Sequence, residues 1–155
     1  MVLKKPDLFA GLDKLIHFGI LDESTKQDFA ELRLVIEIGL ADLIYLNRTP
    51  EAIEELENIA KRFLTSKEHG KIEQEFHRRL LAMSNNHLID RFQLLLEPFF
   101  SSSERLSEVL MDLAYGDHME IVEALRNGTL QEWREVAHEH VAHYFTGESQ
   151  LPDSK

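Results

Sequence analysis

The sequence predicts an all-α protein, an antiparallel bundle of about six to seven helices. Apolar residues recur at helical spacing along most of the chain, and no stretch alternates with the period of a strand. Helix-opening and helix-closing signals punctuate the chain every few turns. The links between them are short, which makes successive helices antiparallel neighbours.

In order, a short apolar segment, Leu8 to Phe18, precedes the turn Gly19-Ile20-Leu21-Asp22. Ser24 with Gln27 has the form of a capping box and opens a long helix through about Asn47. Thr49-Pro50 supplies an N-cap followed by proline at the first helical position, and that helix runs to about Leu64. The next spans about Lys67 to Met83, its start weakened by Gly70, and Ser84-Asn85-Asn86 breaks it. Another runs from His87 to about Phe99, with Pro98 near its end. Ser101 to Ser103 restart a helix through about Ala114, and Gly116-Asp117 cap a separate one through Arg126. Asn127-Gly128 end it, Thr129 with Glu132 box the last helix, and Gly147 stops that one.

With 155 residues the chain suits one domain with one sizeable core. It has no cysteine, so disulfides, thiolate nucleophiles and cysteine zinc sites are excluded. No stretch is apolar enough to span a membrane and the N-terminus lacks a signal-peptide core, so a cytoplasmic protein is expected, with no membrane partner. The net charge of −11, with scattered Lys and Arg, argues against direct contact of these residues with nucleic-acid phosphates. There are no internal repeats, and nothing resembles a phosphate-cradling glycine loop.

Helical phase sets several ligand-type side chains on inward faces. In the last helix Leu130, Trp133, Ala137, Val141 and Tyr144 define one apolar arc. His140 lies within it, roughly 50° from its centre, while His138 and His143 stand roughly 110° off on either flank. One helix earlier, His118 falls near the middle of the stripe formed by Ile121, Val122 and Leu125. Before that, Ile72, Phe76, Leu80, Leu81 and Met83 face inward, and Glu73 and His77 share their arc one turn apart. Glu75 points the other way.

A single inward histidine is ordinarily a hydrogen-bonded core residue. Three on separate helices, with a carboxylate at helical spacing, strain that explanation, because buried polar groups must be satisfied. Imidazole nitrogen and carboxylate oxygen are ligands for ions of the zinc, nickel, manganese and iron type. A divalent metal at Glu73, His77, His118 and His140 is the simplest answer, and a hydrogen-bonded cluster is the alternative. Zinc is expected first, with nickel or manganese next.

These residues resemble the FCD domain, the effector-binding C-terminal half of FadR-like regulators in the GntR superfamily. Arg33-Leu34-Val35-Ile36-Glu37 looks like that family's R-x-x-L-E opening of the first long helix. Glu73-x-x-Phe76-His77, followed by Leu80 and Ser84-Asn85-Asn86, resembles its D-x-x-F-H and A-S-x-N segments. His118-x-x-Ile121-x-x-Ala124 resembles its H-x-x-I-x-x-A, and His140 stands where the closing helix carries the last histidine. The resemblance covers about Phe29 to Phe145, and Glu73 departs from it by replacing the family's aspartate.

The resemblance implies a bundle whose central cavity holds a divalent metal with a small carboxylic-acid effector beside it. It divides the chain into a link with a short helix (1–28), the effector-binding domain (29–147) and a disordered tail (148–155). Arg33 and Asn86 are candidate ligand-binding residues. Arg33 lies in the apolar arc of its helix, where its guanidinium suits a carboxylate, although an ion pair with Glu37 one turn later competes. Asn86 also reads as a helix-boundary residue. Such regulators bind DNA through a winged helix-turn-helix for which these residues leave no room. The chain is therefore expected to be an isolated regulatory domain, made for expression or naturally truncated, and homodimeric as paired half-sites require.

Not an enzyme, then, is the expectation. The rival reading is a metal-dependent hydrolase-like enzyme of the same fold, since three histidines with an open metal position can activate water. A di-iron carboxylate bundle needs two Glu-x-x-His pairs and two further glutamates; only Glu135-x-x-His138 fits, and His138 points off the core.

Overall fold

The computed structural model describes residues 14, 23–100 and 108–146. Among them are seven α-helices and no strand: α1 Glu23–Gly39, α2 Ala41–Asn47, α3 Pro50–Lys61, α4 His69–Ala82, α5 His87–Phe100, α6 Glu108–Asn127 and α7 Leu130–Thr146. A 3-10 turn, Arg62–Leu64, extends α3. The segment Leu8 to Phe18 apart from Lys14, the restart at Ser101 to Ser103, Gly147 and the tail lie outside the described residues. None of the described helices is long and apolar enough to cross a membrane.

Local signals set several boundaries. Thr49 takes extended backbone and its Oγ1 accepts the Ala52 N–H at 3.2 Å, while Pro50 occupies the first turn. Thr129 and Glu132 form the reciprocal box at α7: the Thr129 N–H donates to Glu132 Oε2 at 2.7 Å, and the Glu132 N–H to Thr129 Oγ1 at 3.3 Å. Between α4 and α5, Asn85 adopts φ 56°, the left-handed conformation asparagine tolerates. Gly128 follows α6 where a Cβ would lie 2.6 Å from the Ala124 carbonyl oxygen, so only glycine fits.

Two expectations need correction. The long helix from Ser24 to Asn47 is divided by a joint at Leu40, although Leu40 still donates to Ile36 O and Ile44 to Leu40 O, both at 2.9 Å. The break expected at Gly116-Asp117 is absent, and α6 runs through both residues. Gly116 is exposed and a side chain there would meet open space; the apolar face beyond it, Ile121, Val122 and Leu125, is fully buried. That burial outweighs the cost of about 1 kcal/mol for an interior helical glycine.

Helix α3 packs against α4 and α6, α4 against α5, and α7 against α6, α1 and α2. The core is formed by Ile44, Leu56, Phe63, Ile72, Phe76, Leu80, Ile121, Leu125 and Trp133. Trp133 donates its indole N–H to Ala41 O at 2.7 Å, tying α7 to α2. Tyr45 donates its hydroxyl to Gly128 O at 2.9 Å, and Arg48 donates to Leu125 O at 2.8 Å, satisfying carbonyls at the end of α6.

Candidate metal centre

Helix α4 contributes Glu73 and His77 one turn apart, because Ile72, Phe76 and Leu80 turn that face into the core. Helix α6 contributes His118 on the face of Val122 and Leu125, and α7 contributes His140 beside Val141. The three rings are 3%, 1% and 8% exposed, whereas the Glu73 side chain is 27% exposed, so the cluster meets solvent on the glutamate side. One ligand atom from each of the four residues lies within 4.8 Å of the others.

The Nε2 atoms are the ones that converge. His77 Nε2 lies 2.8 Å from Glu73 Oε1 and 3.4 Å from His140 Nε2, and His118 Nε2 lies 3.3 Å from Glu73 Oε2. Ligand atoms held tetrahedrally at zinc-like bond lengths stand about 3.4 Å apart. The rings are fixed by packing: His118 stacks on Phe76 at 4.0 Å and lies 5.0 Å from Phe63, and His77 stacks on His140 at 5.1 Å.

A fifth residue completes the arrangement. Glu37 on α1 is 3% exposed, and both its carboxylate oxygens lie 3.0 Å from His77 Nδ1. Phase signalled it, since Glu37 shares a stripe with Leu40 and Ile44, both buried. The structure engages Glu37 with His77 on α4; the one-turn ion pair with Arg33 depends on a side chain that is not described. The Arg33 side chain lies outside the described residues.

The donor set fits a divalent cation. A neutral imidazole carries one N–H, and with that proton on Nδ1 for Glu37 the Nε2 lone pair of His77 faces the lone pairs of Glu73. With neutral rings the two carboxylates carry two negative charges, which a divalent ion would match; one imidazolium would match half. Burial, with the neighbouring His77 acting in the same sense, lowers the His140 pKa to about 3, so that ring is neutral. Burial pushes the Glu73 carboxyl up, but in the metal-free cluster the charge that His77 and His118 carry when protonated, with their hydrogen bonds, outweighs it and holds the group well below the usual range.

The other candidates are placed as follows. His138 is exposed on α7, and the side chain of His143 lies outside the described residues. Glu75 turns outward and pairs with Arg62 at 2.8 Å. Asn86 is exposed; its Oδ1 accepts the Leu88 N–H at 3.1 Å, capping the start of α5. Its neighbour Ser84 is buried and accepts the Asn86 N–H through Oγ.

The model of the FCD domain matches residues 28–143, which contain all five residues of the cluster. The chain belongs to the FCD family. FCD domains are the effector-binding domains of GntR-family regulators, typically regulatory and not catalytic. No curated protein and no solved structure matches the chain. In this FCD domain a glutamate stands at position 73, and its carboxylate spans His77 and His118. Its side chain, one methylene longer than an aspartate, therefore reaches the cluster.

Proposed function

We propose that this FCD domain is the ligand-sensing part of a FadR-type transcriptional regulator. In this reading His77, His118 and His140 hold a divalent metal, zinc first and nickel or manganese next, with Glu73 as fourth ligand. A bound metal supplies an electrophilic centre with open coordination positions, which a small carboxylic acid occupies. The protein's own groups do the rest: Glu37 holds the His77 proton on Nδ1, the Phe63 and Phe76 rings fix His118, and burial keeps water from the three imidazoles.

The observation that carries this is the convergence of three Nε2 atoms and one carboxylate with the outer carboxylate Glu37 behind His77. A carboxylate–histidine pair behind a metal is the usual means of fixing a ligand ring. Arg33 is assigned the effector's distal carboxylate, to which a guanidinium binds with two parallel hydrogen bonds. Asn86, engaged at the α5 cap through Oδ1, has its amide N–H groups to offer. Effector binding shifts the bundle, and in a homodimer this changes the spacing of winged-helix heads on DNA.

Elemental analysis of tag-free protein tests the first half: one equivalent of metal is expected, and its absence at neutral pH after metal supplementation would overturn the reading. A carboxylate panel of lactate, citrate and sugar acids tests the second. Melting temperatures should rise in metal-loaded protein and stay put in stripped protein. An equal rise in both would put the ligand away from the ion.

A further inference from the structure

The outward face of α1 and α2 is apolar over most of its length. Between positions 32 and 46 the described residues most open to solvent are Leu32, Val35, Gly39, Leu43 and Leu46, and none carries a charge. The four large side chains are 44%, 56%, 42% and 72% exposed. At about 100° per residue all five positions fall within one arc of about 80°. The joint at Leu40 keeps the helical spacing, since Leu40 still donates to Ile36 O and Ile44 to Leu40 O. Leu64 and Leu88 are also exposed, but they stand singly on other elements, which is ordinary for a folded surface. A continuous apolar stripe on a chain of net charge −11 is not ordinary and marks an interaction surface.

The order of the stripe identifies its occupant. Val35 and Leu43 lie four residues to either side of Gly39, and Leu32 and Leu46 lie seven. A second copy laid antiparallel, with a two-fold axis at Gly39, therefore sets Leu32 against the partner's Leu46 and Val35 against the partner's Leu43. Such self-complementarity is what a closed two-fold interface requires. Gly39 has no steric reason to be glycine within its own fold, because a Cβ there would meet nothing within 4 Å. Glycine is a poor helix residue, and at a crossing point it lets two backbones approach closely. The nearest flanking charge is cancelled within the chain: Arg134 donates to Asp42 Oδ1 at 2.7 Å and to Oδ2 at 2.6 Å. Two copies thus meet here without bringing like charges together.

We propose that α1 and α2 form the contact between two copies of this domain, crossing antiparallel at Gly39. The proposal rests on the homodimer of the reading above and names the surface that makes it. A face about 21 Å long and about 10 Å wide covers less than the about 800 Å² per partner of a stable interface. The contact is therefore reversible, with a Kd of about micromolar order. Glu37 lies on the opposite side of the same helix, roughly 160° round from the stripe, against His77. One helix touches the histidine cluster with one face and the second copy with the other.

Sedimentation equilibrium of the tag-free protein is expected to show a monomer–dimer equilibrium. Leu46→Glu should weaken it about tenfold or more while leaving the melting temperature of dilute protein unchanged. The chain has no cysteine, so introduced ones report the geometry cleanly. Gly39→Cys should cross-link into a dimer on mild oxidation, because two residues at the axis meet. Leu46→Cys should not, since its two copies stand about 21 Å apart, far beyond disulfide reach. The double variant Leu32→Cys with Leu46→Cys should cross-link again. A protein that stays monomeric at millimolar concentration would overturn the proposal, as would a dimer that Leu46→Glu leaves intact. Self-linking of Leu46→Cys as fast as that of Gly39→Cys would overturn the antiparallel crossing. Metal content and effector-dependent melting are read separately, so each of these failures overturns this face and leaves the sensor reading standing.

Discussion

Glu37 presents both carboxylate oxygens to Nδ1 of His77, each at 3.0 Å, and so decides which nitrogen of that ring turns toward the other histidines. The residues lie on different helices and 40 positions apart in sequence. With Nδ1 protonated for the carboxylate, Nε2 is left as a lone-pair donor 3.4 Å from His140 Nε2. A buried carboxylate thus converts an ambiguous imidazole into a ligand of fixed tautomer.

Glu37→Gln should therefore weaken metal binding without unfolding the domain. The amide still accepts a hydrogen bond from Nδ1 but withdraws the negative charge that raises the basicity of the ring. Loss of such a partner typically lowers metal affinity by about 10- to 100-fold. Chelator competition at neutral pH measures it, and affinity equal to wild type would show that Glu37 serves packing alone.

Substitution of the inner histidines should separate cleanly from substitution of the outer one. His118→Ala or His140→Ala should abolish stoichiometric metal, because each removes one of three converging Nε2 donors. His138→Ala, on the exposed face of α7, should leave metal content at the wild-type level. Unchanged metal in the first two variants would break the assignment.

Much of this was legible in the sequence because the signals were local. The caps at Thr49 and Thr129, the break at Asn85 and the inward phase of His77, His118 and His140 each follow from a few neighbouring residues. What was not legible depends on distant packing. Gly116 reads as a helix break by local rules, yet α6 continues because its apolar face is buried against α3 and α7. Glu37 lay on an inward stripe, but its contact with His77, 40 positions away, depends on the approach of α4 and follows from no local rule.

Acid should destabilise even the metal-free domain. The His140 pKa falls from 6.5 to about 3 on folding, so between those values the unfolded chain takes up a proton the native state refuses. The resulting stability is present above pH 6.5 and is lost progressively toward pH 3. Glu73 acts in the same direction: its carboxyl is held below 4.5, so its contribution is also lost as pH falls. The histidine contribution alone makes the domain about 1.4 kcal/mol less stable at pH 5.5 than at neutrality. Urea unfolding of stripped protein at pH 7.5 and 5.5 checks this, and equal midpoints would contradict a buried neutral His140.

Gly128→Ala should destabilise the fold while sparing the metal site. The added Cβ would come within 2.6 Å of Ala124 O and 3.2 Å of its Cα, both backbone atoms that cannot swing aside. Relief requires shifting the α6–α7 link, where Gly128 O also accepts the Tyr45 hydroxyl. A loss of about 1 to 3 kcal/mol is expected, with one metal still bound at saturation. A neutral effect in denaturant melts would mean the link yields more readily than its geometry indicates.

Effector binding should be visible as a metal-dependent stabilisation of predictable size. A ligand that binds only the folded state at a hundred times its Kd stabilises it by about 2.7 kcal/mol. For a domain of this length each kcal/mol moves the melting temperature by about 2 to 4 °C, so a saturating carboxylate should raise it by about 5 to 11 °C. The rise must vanish when the ion is stripped, and also in His118→Ala, which removes a metal donor without touching Arg33. Arg33→Ala should instead retain the metal and reduce the shift for dicarboxylates more than for monocarboxylates, because only the former carry a second carboxylate for the guanidinium. If Arg33→Ala weakens both classes equally, the distal carboxylate is bound elsewhere in the cavity.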